Sequence, residues 1–183
     1  MSDNSLEQQF EQQHLANGYE FVDGVAMHQE HGDRFQIPHQ VLKKHVAAGH
    51  FVEVRIDSPR FSAHPDAPEK CTCPYCNEEA AKPILSHEDP ASLVSVPEQS
   101  VPSRGWGEDF WAQVTRREAG YLKAIVDNPL YEARLHALRQ GDEIVIHEDY
   151  ILAVHSSHRQ EMVLGMDAAD LQQLVEWLGS GRG

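Results

Sequence analysis

The chain has 183 residues, 40% of them hydrophobic, and its 29 acidic and 15 basic residues give a formal net charge of −14 with histidine neutral. This length suits one compact domain, or one domain with a small appendage. The sequence has no run of about 20 apolar residues, the length that spans a bilayer, and its acidic balance disfavours binding to nucleic acid or to anionic membranes. Residues 1–13 are acidic and Gln-rich, so we expect no secretory signal and a cytoplasmic location.

Residues 1–57 are predicted to form an N-terminal region of helices followed by a strand. A weak helix is predicted over residues 6–15, and its Gln-rich surface suggests a loosely docked arm. Pro38 favours the first turn of a second helix, which Gly49 would end. Apolar and charged residues then alternate over 52–56, the period of a strand that is buried on one face.

The middle of the chain is rich in proline. Eight of the ten prolines fall between Pro59 and Pro102, in a stretch that holds every cysteine and has no sustained hydrophobic period. We predict that residues 58–105 form a long loop, either a linker or an insertion within one domain. A loop of this length needs a source of order other than a hydrophobic core, and a bound metal ion can supply it.

The strongest chemical signal is the sequence CTCPYCN over residues 71–77. Cys-Pro-x-Cys followed by Asn is typical of a zinc knuckle, in which a tight turn brings two thiolates to a tetrahedral Zn²⁺, and the preceding cysteine is near enough to give a third ligand. Water in the fourth position would leave an open site of the catalytic kind. The predicted ligands of a structural zinc site are Cys71, Cys73, Cys76 and either His87 or His64.

The same cysteines allow three alternatives to a structural zinc site. Cys73 and Cys76 also match the Cys-x-x-Cys motif of glutaredoxins, although that motif follows a strand and opens a helix, and this context is missing here. An iron–sulfur cluster or a copper ion would need a further ligand. Unligated surface cysteines are the remaining alternative.

Residues 106–183 are predicted to form the third region. β-Rich segments with short connections predict an antiparallel meander with strands at 110–114, 121–126, 143–147, 150–154 and 162–165. A helix is predicted over 130–140. The clearest helix lies between Asp167, its N-cap, and Gly179, because four apolar residues at i, i+3, i+4 and i+7 mark one face. These residues are Leu171, Leu174, Val175 and Leu178.

These elements together predict an α+β fold, with a small antiparallel sheet, packed helices and a zinc-stapled Pro-rich loop. Two imidazoles and a carboxylate can form an iron site, but the spacing of the candidates matches no ligand motif, so we expect solvated surface residues. The candidates are His147, Asp149, His155 and His158. His136 is expected on an exposed helix face, and Trp106, Trp111 and Trp177 in the core or an interface.

Four short motifs follow one another in order: FWAQV at 110–114, GYLKA at 120–124, DNPL at 127–130 and GDEI at 141–144. In this order they resemble a bacterial domain family of unknown function, the YegJ-like group. The resemblance covers residues 110–154 and implies a compact α+β module without an assigned activity. It does not account for the cysteine cluster.

The sequence carries no Gly-rich phosphate loop, no Gly-x-Ser-x-Gly elbow and no His-Glu-x-x-His helix, so the common enzyme markers are missing. We therefore expect a zinc-binding protein-interaction or immunity-type module whose partner is a protein. The alternative is an enzyme, either a thiol oxidoreductase that uses Cys73 and Cys76 or a zinc hydrolase with an open coordination position.

Overall fold

The computed structural model describes residues 4–58, 101–131 and 133–181 of the chain. Within these ranges, six strands form one antiparallel sheet in the order β1-β2-β3-β4-β5, and β6 also pairs with β2. The strands are β1 (Glu20–Phe21), β2 (Phe51–Ser58), β3 (Trp106–Glu118), β4 (Tyr121–Val126), β5 (Glu143–His147) and β6 (Ala153–Val154).

Six short α-helices of the described residues lie around the sheet, with 3₁₀ turns between several of them. They are α1 (Leu6–Gln12), α2 (Gly24–His31), α3 (Gln40–Lys44), α4 (Ala133–His136), α5 (Arg159–Leu164) and α6 (Ala168–Gly179). α6, with 12 residues, is the longest of them. Isolated helices of this length are marginal in water, so their stability comes from packing against the sheet.

The sheet curls until its two ends approach each other. After β5, the backbone N–H of Glu148 donates to the carbonyl of Gly120 in the β3–β4 turn, and the N–H of Leu152 donates to Glu53 in β2. The chain thus crosses from the far side of the sheet to β2 within a few residues. β6 then pairs Val154 with Val52, so the sheet is a nearly closed barrel.

The core lies inside this barrel. Alternate residues of β2 to β5 point inward and are at most 1% exposed, including Val52, Val54, Ile56, Phe110, Ala112, Val114, Leu122, Ala124, Val126, Ile144 and Ile146. The predicted α+β fold with a small antiparallel sheet and packed helices is therefore wrong, and the zinc-stapled loop that belonged to this prediction lies outside the described residues. Because the curled sheet covers its own apolar face, it does not need long helices packed across that face.

Several predicted elements are confirmed, while others change type or length. The strands predicted at 110–114, 121–126 and 143–147 lie within β3, β4 and β5. The strand predicted at 162–165 is wrong, because these residues mostly belong to helix α5, which turns Met162 into the core. The helix predicted over 130–140 shrinks to α4, since Ala137 adopts a φ of 65° that a helix cannot continue through.

The N-terminal helix is firmly held, contrary to the prediction of a loose arm. Ser5 caps α1 through a reciprocal capping box with Gln8, and Leu6 is fully buried. The side-chain amide of Gln13 donates to the carbonyl of Val145 at 2.9 Å and accepts from the N–H of Val145 at 2.8 Å. The amide of Gln13 therefore takes the place of a neighbouring strand at the open edge of β5.

A buried ionic clamp holds the two ends of the predicted loop. Ser58 and Trp106 are register partners, so the residues between them connect two neighbouring antiparallel strands. Asp57 is 1% exposed and accepts hydrogen bonds from the hydroxyl of Ser103 at 2.9 Å and from Nε of Arg104 at 2.8 Å. This clamp fixes where the chain leaves β2 and where it returns to β3.

Candidate functional site

The predicted metal ligands Cys71, Cys73, Cys76, His64 and His87 all lie outside the described residues. The same holds for the thiol pair of the oxidoreductase alternative. The zinc site and its competing chemistries therefore stay predictions.

The described part of the molecule contains an apolar groove beside the C-terminal helix, which we call the α6 groove. It has a volume of about 430 Å³, a size typical of binding pockets. Its walls come from the segment before α3, from α3, β6, α5 and α6. The lining residues are Gln36, Ile37, Pro38, Leu42, Leu152, Ala153, Val154, Arg159, Met162, Val163, Leu174, Trp177 and Leu178.

The α6 groove exists because α6 buries only part of its apolar face. Leu174 is 8% exposed and packs in the core, whereas Leu178 is 55% exposed and Val175 is 65% exposed. On the neighbouring helix α5, Leu164 is 78% exposed. Of these three exposed side chains, Leu178 lines the groove, and an exposed apolar side chain at a groove is typical of a binding surface.

Ionic contacts fix α6 to α3 and so hold two walls of the groove in place. Asp170 accepts from Nζ of Lys44 at 2.8 Å and lies 2.7 Å from Nε2 of His45. The Lys44 and His45 hydrogen bonds hold the pKa of Asp170 below its ordinary value, and the same contact raises the pKa of Lys44. Asp167, predicted as the N-cap, accepts from the N–H of Asp170 at 2.8 Å, which confirms that cap.

A second arrangement joins His50, before β2, to His158 and Glu161, at the start of α5; we call it the histidine cluster. Nε2 of His50 lies 2.5 Å from a carboxylate oxygen of Glu161, and Nδ1 of His158 lies 3.4 Å from the same oxygen. The two imidazole rings stack with centroids 4.7 Å apart. The candidate ligand atoms of the three residues all lie within 4.8 Å of one another.

A backbone hydrogen bond indicates where a neutral His50 carries its proton. The backbone N–H of Ala47 donates to Nδ1 of His50 at 3.2 Å, so a neutral His50 carries its proton on Nε2 and donates it to Glu161. In the described chain, Nε2 of His158 is buried and has no hydrogen-bond partner. The side chain of His158 is 15% exposed, which contradicts its prediction as a solvated surface residue.

The other predicted surface residues do not gather at one centre. His147 lies 3.3 Å from Asp149 and packs edge-on against Tyr121. His155 is exposed, and Ser157 donates its backbone N–H to Nδ1 of this ring. The hypothesis of a common iron site therefore has no support from their placement.

Two tryptophans and His136 were also assigned positions from the sequence, and the structure describes their side chains. Trp177 lines the α6 groove, and Trp111 packs edge-on against His155 with ring centroids 5.3 Å apart. The side chain of Trp106 lies outside the described residues. His136 is fully buried, so its predicted exposure is wrong; it lies 3.2 Å from a carboxylate oxygen of Glu108.

A charged strip crosses the outer face of β2 and β3. Arg55, although 3% exposed, donates to Asp109 at 2.8 Å across the strand pair. Burial, followed by the nearby Asp109 charge, raises the pKa of Glu53 above its ordinary value. Asp109 is the register partner of Arg55 on β3, so this ion pair links the two strands.

Sequence reasoning missed His50 and Glu161. A local signal was present, because His158 and Glu161 are spaced i, i+3, which brings side chains together on a helix. His50 carries no such signal. Only the antiparallel closure of β6 onto β2 brings the chain after β6 back beside it.

Comparison of the sequence with protein-family models finds no matching family, and searches of curated proteins and of solved structures find no match either. Among the described residues, no helix combines the length and the apolar character that crossing a bilayer requires.

Proposed function

We propose that this protein is a cytoplasmic protein-interaction module that binds a partner's amphipathic helix in the α6 groove. The observation that carries the proposal is the half-buried apolar face of α6, where Leu178 stays 55% exposed beside the groove. Helix-in-groove recognition uses such a surface, because the partner places apolar side chains at i, i+3, i+4 and i+7 into it.

The net charge of the two helices beside the groove favours a basic partner helix. Glu161, Asp167 and Glu176 on and beside α5 and α6 are exposed acidic residues outside the groove lining, while Arg159, the basic side chain of these two helices, lines the groove. The whole chain has a net charge of −14, which adds a negative long-range field. Lysine or arginine residues at the edges of the partner helix would therefore speed encounter and set its orientation.

We also propose that Cys71, Cys73 and Cys76, with His87 or His64, bind one structural zinc ion. The clamp around Asp57 supports this proposal, because it anchors the cysteine-bearing segment at both ends to adjacent strands. A reducing cytoplasm keeps such thiols available to a metal. Elemental analysis is expected to find zinc, and Cys76→Ser is expected to lose one equivalent of it. Reactive thiols of low pKa in metal-free protein would favour the oxidoreductase alternative instead.

The interaction is tested by selection from a phage library of helical peptides against the full-length protein. Variant Leu178→Asp places a charge in the groove, and it is tolerated because Leu178 is largely exposed. The matched control is Tyr131→Asp, which changes an apolar residue that is 59% exposed and lies outside the groove.

The proposal predicts enriched peptides with an apolar stripe and an excess of lysine and arginine. They bind the wild type and Tyr131→Asp equally, and they bind Leu178→Asp at least about 10-fold more weakly, the cost of a desolvated charge in an apolar contact. Peptides that bind all three proteins alike, or a selection without enrichment, would refute groove recognition. Equal melting temperatures exclude unfolding as the cause.

A further inference from the structure

The histidine cluster does not line the α6 groove, so it requires an explanation separate from the proposed function. We propose that His50, His158 and Glu161 bind one divalent transition-metal ion of the Zn²⁺ type. This site shares no residue with the predicted cysteine site. It is built entirely from described residues, which are held by β2 and α5.

The donor chemistry suits such an ion. Two imidazole nitrogens and one carboxylate oxygen are ligands that Zn²⁺, Co²⁺ and Fe²⁺ accept, and Zn²⁺ binds them at about 2.0–2.2 Å. The candidate ligand atoms, all within 4.8 Å of one another, can converge on one ion after small side-chain movements. Glu161 is 60% exposed, so an ion can enter from solvent and keep a water molecule in its fourth position.

Packing holds the two imidazoles close together. The ring of His158 stacks on Phe51, with centroids 5.7 Å apart, and on His50, with centroids 4.7 Å apart, and it is nearly parallel to both. The lone pair of an imidazole nitrogen lies in the plane of its ring, so the ring of His50 has to rotate before both nitrogens can point at one ion.

The geometry selects Nδ1 as the ligand nitrogen of His158, because Nδ1 lies 3.4 Å from the carboxylate oxygen of Glu161. An imidazole that binds an ion through Nδ1 carries its proton on Nε2. This Nε2 is buried without a hydrogen-bond partner in the described chain.

Metal binding predicts a change of tautomer at His50. Its Nε2 carries a proton in the described arrangement and must release it to present a lone pair, so the proton moves to Nδ1. The N–H of Ala47 then has to leave Nδ1. The turn itself is held, because the N–H of Gly49 donates to the carbonyl of Val114 at 2.7 Å and the N–H of His50 donates to that of Ala47 at 3.1 Å, so the imidazole of His50 has to rotate away from Ala47.

The test uses the full chain with Cys71, Cys73 and Cys76 all changed to serine, which removes the predicted thiolate ligands. We expect one equivalent of Co²⁺ to bind, with visible absorption bands of nitrogen and oxygen ligation. His158→Gln and Glu161→Gln are expected to weaken binding by at least about 100-fold, because even the loss of a residue that only orients a metal ligand costs about 10–100-fold. His155→Gln is the matched control, because this exposed imidazole is on the same turn, and it should bind Co²⁺ normally.

Absence of saturable Co²⁺ binding, or an equal loss in His155→Gln, would overturn the proposal. Glu161→Gln keeps the test valid if a histidine variant fails to fold, because Glu161 is an exposed side chain. A second measurement follows the imidazole nitrogens by ¹⁵N NMR during Zn²⁺ addition. The proposal predicts that the proton of His50 moves from Nε2 to Nδ1, and unchanged His50 resonances at saturating Zn²⁺ would contradict it.

Discussion

Leu174 and Leu178 lie one helical turn apart on α6, yet Leu174 is 8% exposed and Leu178 is 55% exposed. In a helix that packs fully against a core, residues at this spacing have the same environment. Both line the α6 groove, but Leu174 also belongs to the hydrophobic core, whereas Leu178 does not. The apolar face is therefore divided between folding and the proposed binding.

This division predicts unequal costs for the same substitution on one helix. Leu174→Ala should lower the free energy of unfolding by about 3 kcal/mol, because it leaves a cavity in the core. Leu178→Ala should change it by less than about 0.5 kcal/mol, because the side chain is largely hydrated. Urea unfolding measures both values. Similar losses for the two variants would show that Leu178 is buried in solution.

The Asp170 contact predicts how stability depends on acid. The pKa of Asp170 is lowered in the folded protein by hydrogen bonds from Lys44 and His45. A group with a lowered folded pKa contributes stability above its unfolded pKa of about 3.9 and loses the contribution as pH falls through the folded pKa.

Asp170→Asn should therefore be less stable than the wild type at pH 7, and the difference should shrink as the pH falls below about 4. Urea unfolding across this pH range measures it. Glu176→Gln is the control, because Glu176 is exposed and its carboxylate accepts a hydrogen bond from the side-chain amide of Gln172, one turn earlier on the same helix. A difference between wild type and Asp170→Asn that is constant with pH would contradict the assignment.

His136 is expected to be essential for stability. It is 0% exposed, accepts from the N–H of Leu138 and faces the carboxylate of Glu108. His136→Ala leaves both a cavity and an unsatisfied backbone donor, so it should cost about 3 kcal/mol. His14→Ala, at an exposed imidazole, should cost less than about 0.5 kcal/mol. Thermal unfolding of the two variants in parallel decides the point, and equal stabilities would refute the buried position.

The clamp around Asp57, which joins the two ends of the cysteine-bearing segment, predicts a large loss of stability when its charge is removed. Asp57→Asn removes the buried negative charge that accepts hydrogen bonds from Arg104. Breaking such an ion pair should lower the free energy of unfolding by about 3 kcal/mol. Arg116→Gln, which breaks an exposed pair with Glu118, should cost less than about 1 kcal/mol. Guanidinium unfolding compares them. A near-neutral Asp57→Asn would mean that the clamp does not hold the two strand ends.

The strands were predictable from sequence because their alternation of apolar and polar residues is local. The period over 52–56 and over 121–126 is visible without any knowledge of the fold, and so is the cap at Asp167. The closure of the sheet was not predictable. It depends on β6 pairing with β2, and β6 is only two residues long.

The candidate functional residues were not predictable for the same reason, since their environment depends on tertiary contacts. Leu178 has the right spacing for a core position, and only the extent of the barrel shows that it is exposed. His50 meets Glu161 through tertiary contact alone. The motifs of the YegJ-like resemblance lie mainly on β3, β4 and the start of β5, which are scaffold strands, so they carry little information about either site.

The most direct measurement of the central claim is methyl NMR of the full-length protein during titration with a selected basic helical peptide. Recognition in the α6 groove predicts saturable shifts of the methyl signals of Met162, Val163, Leu174 and Leu178, with the signals of core residues that do not line the groove, such as Val54, unchanged. Shifts confined to other faces of the barrel, with these four residues unaffected at saturation, would contradict it.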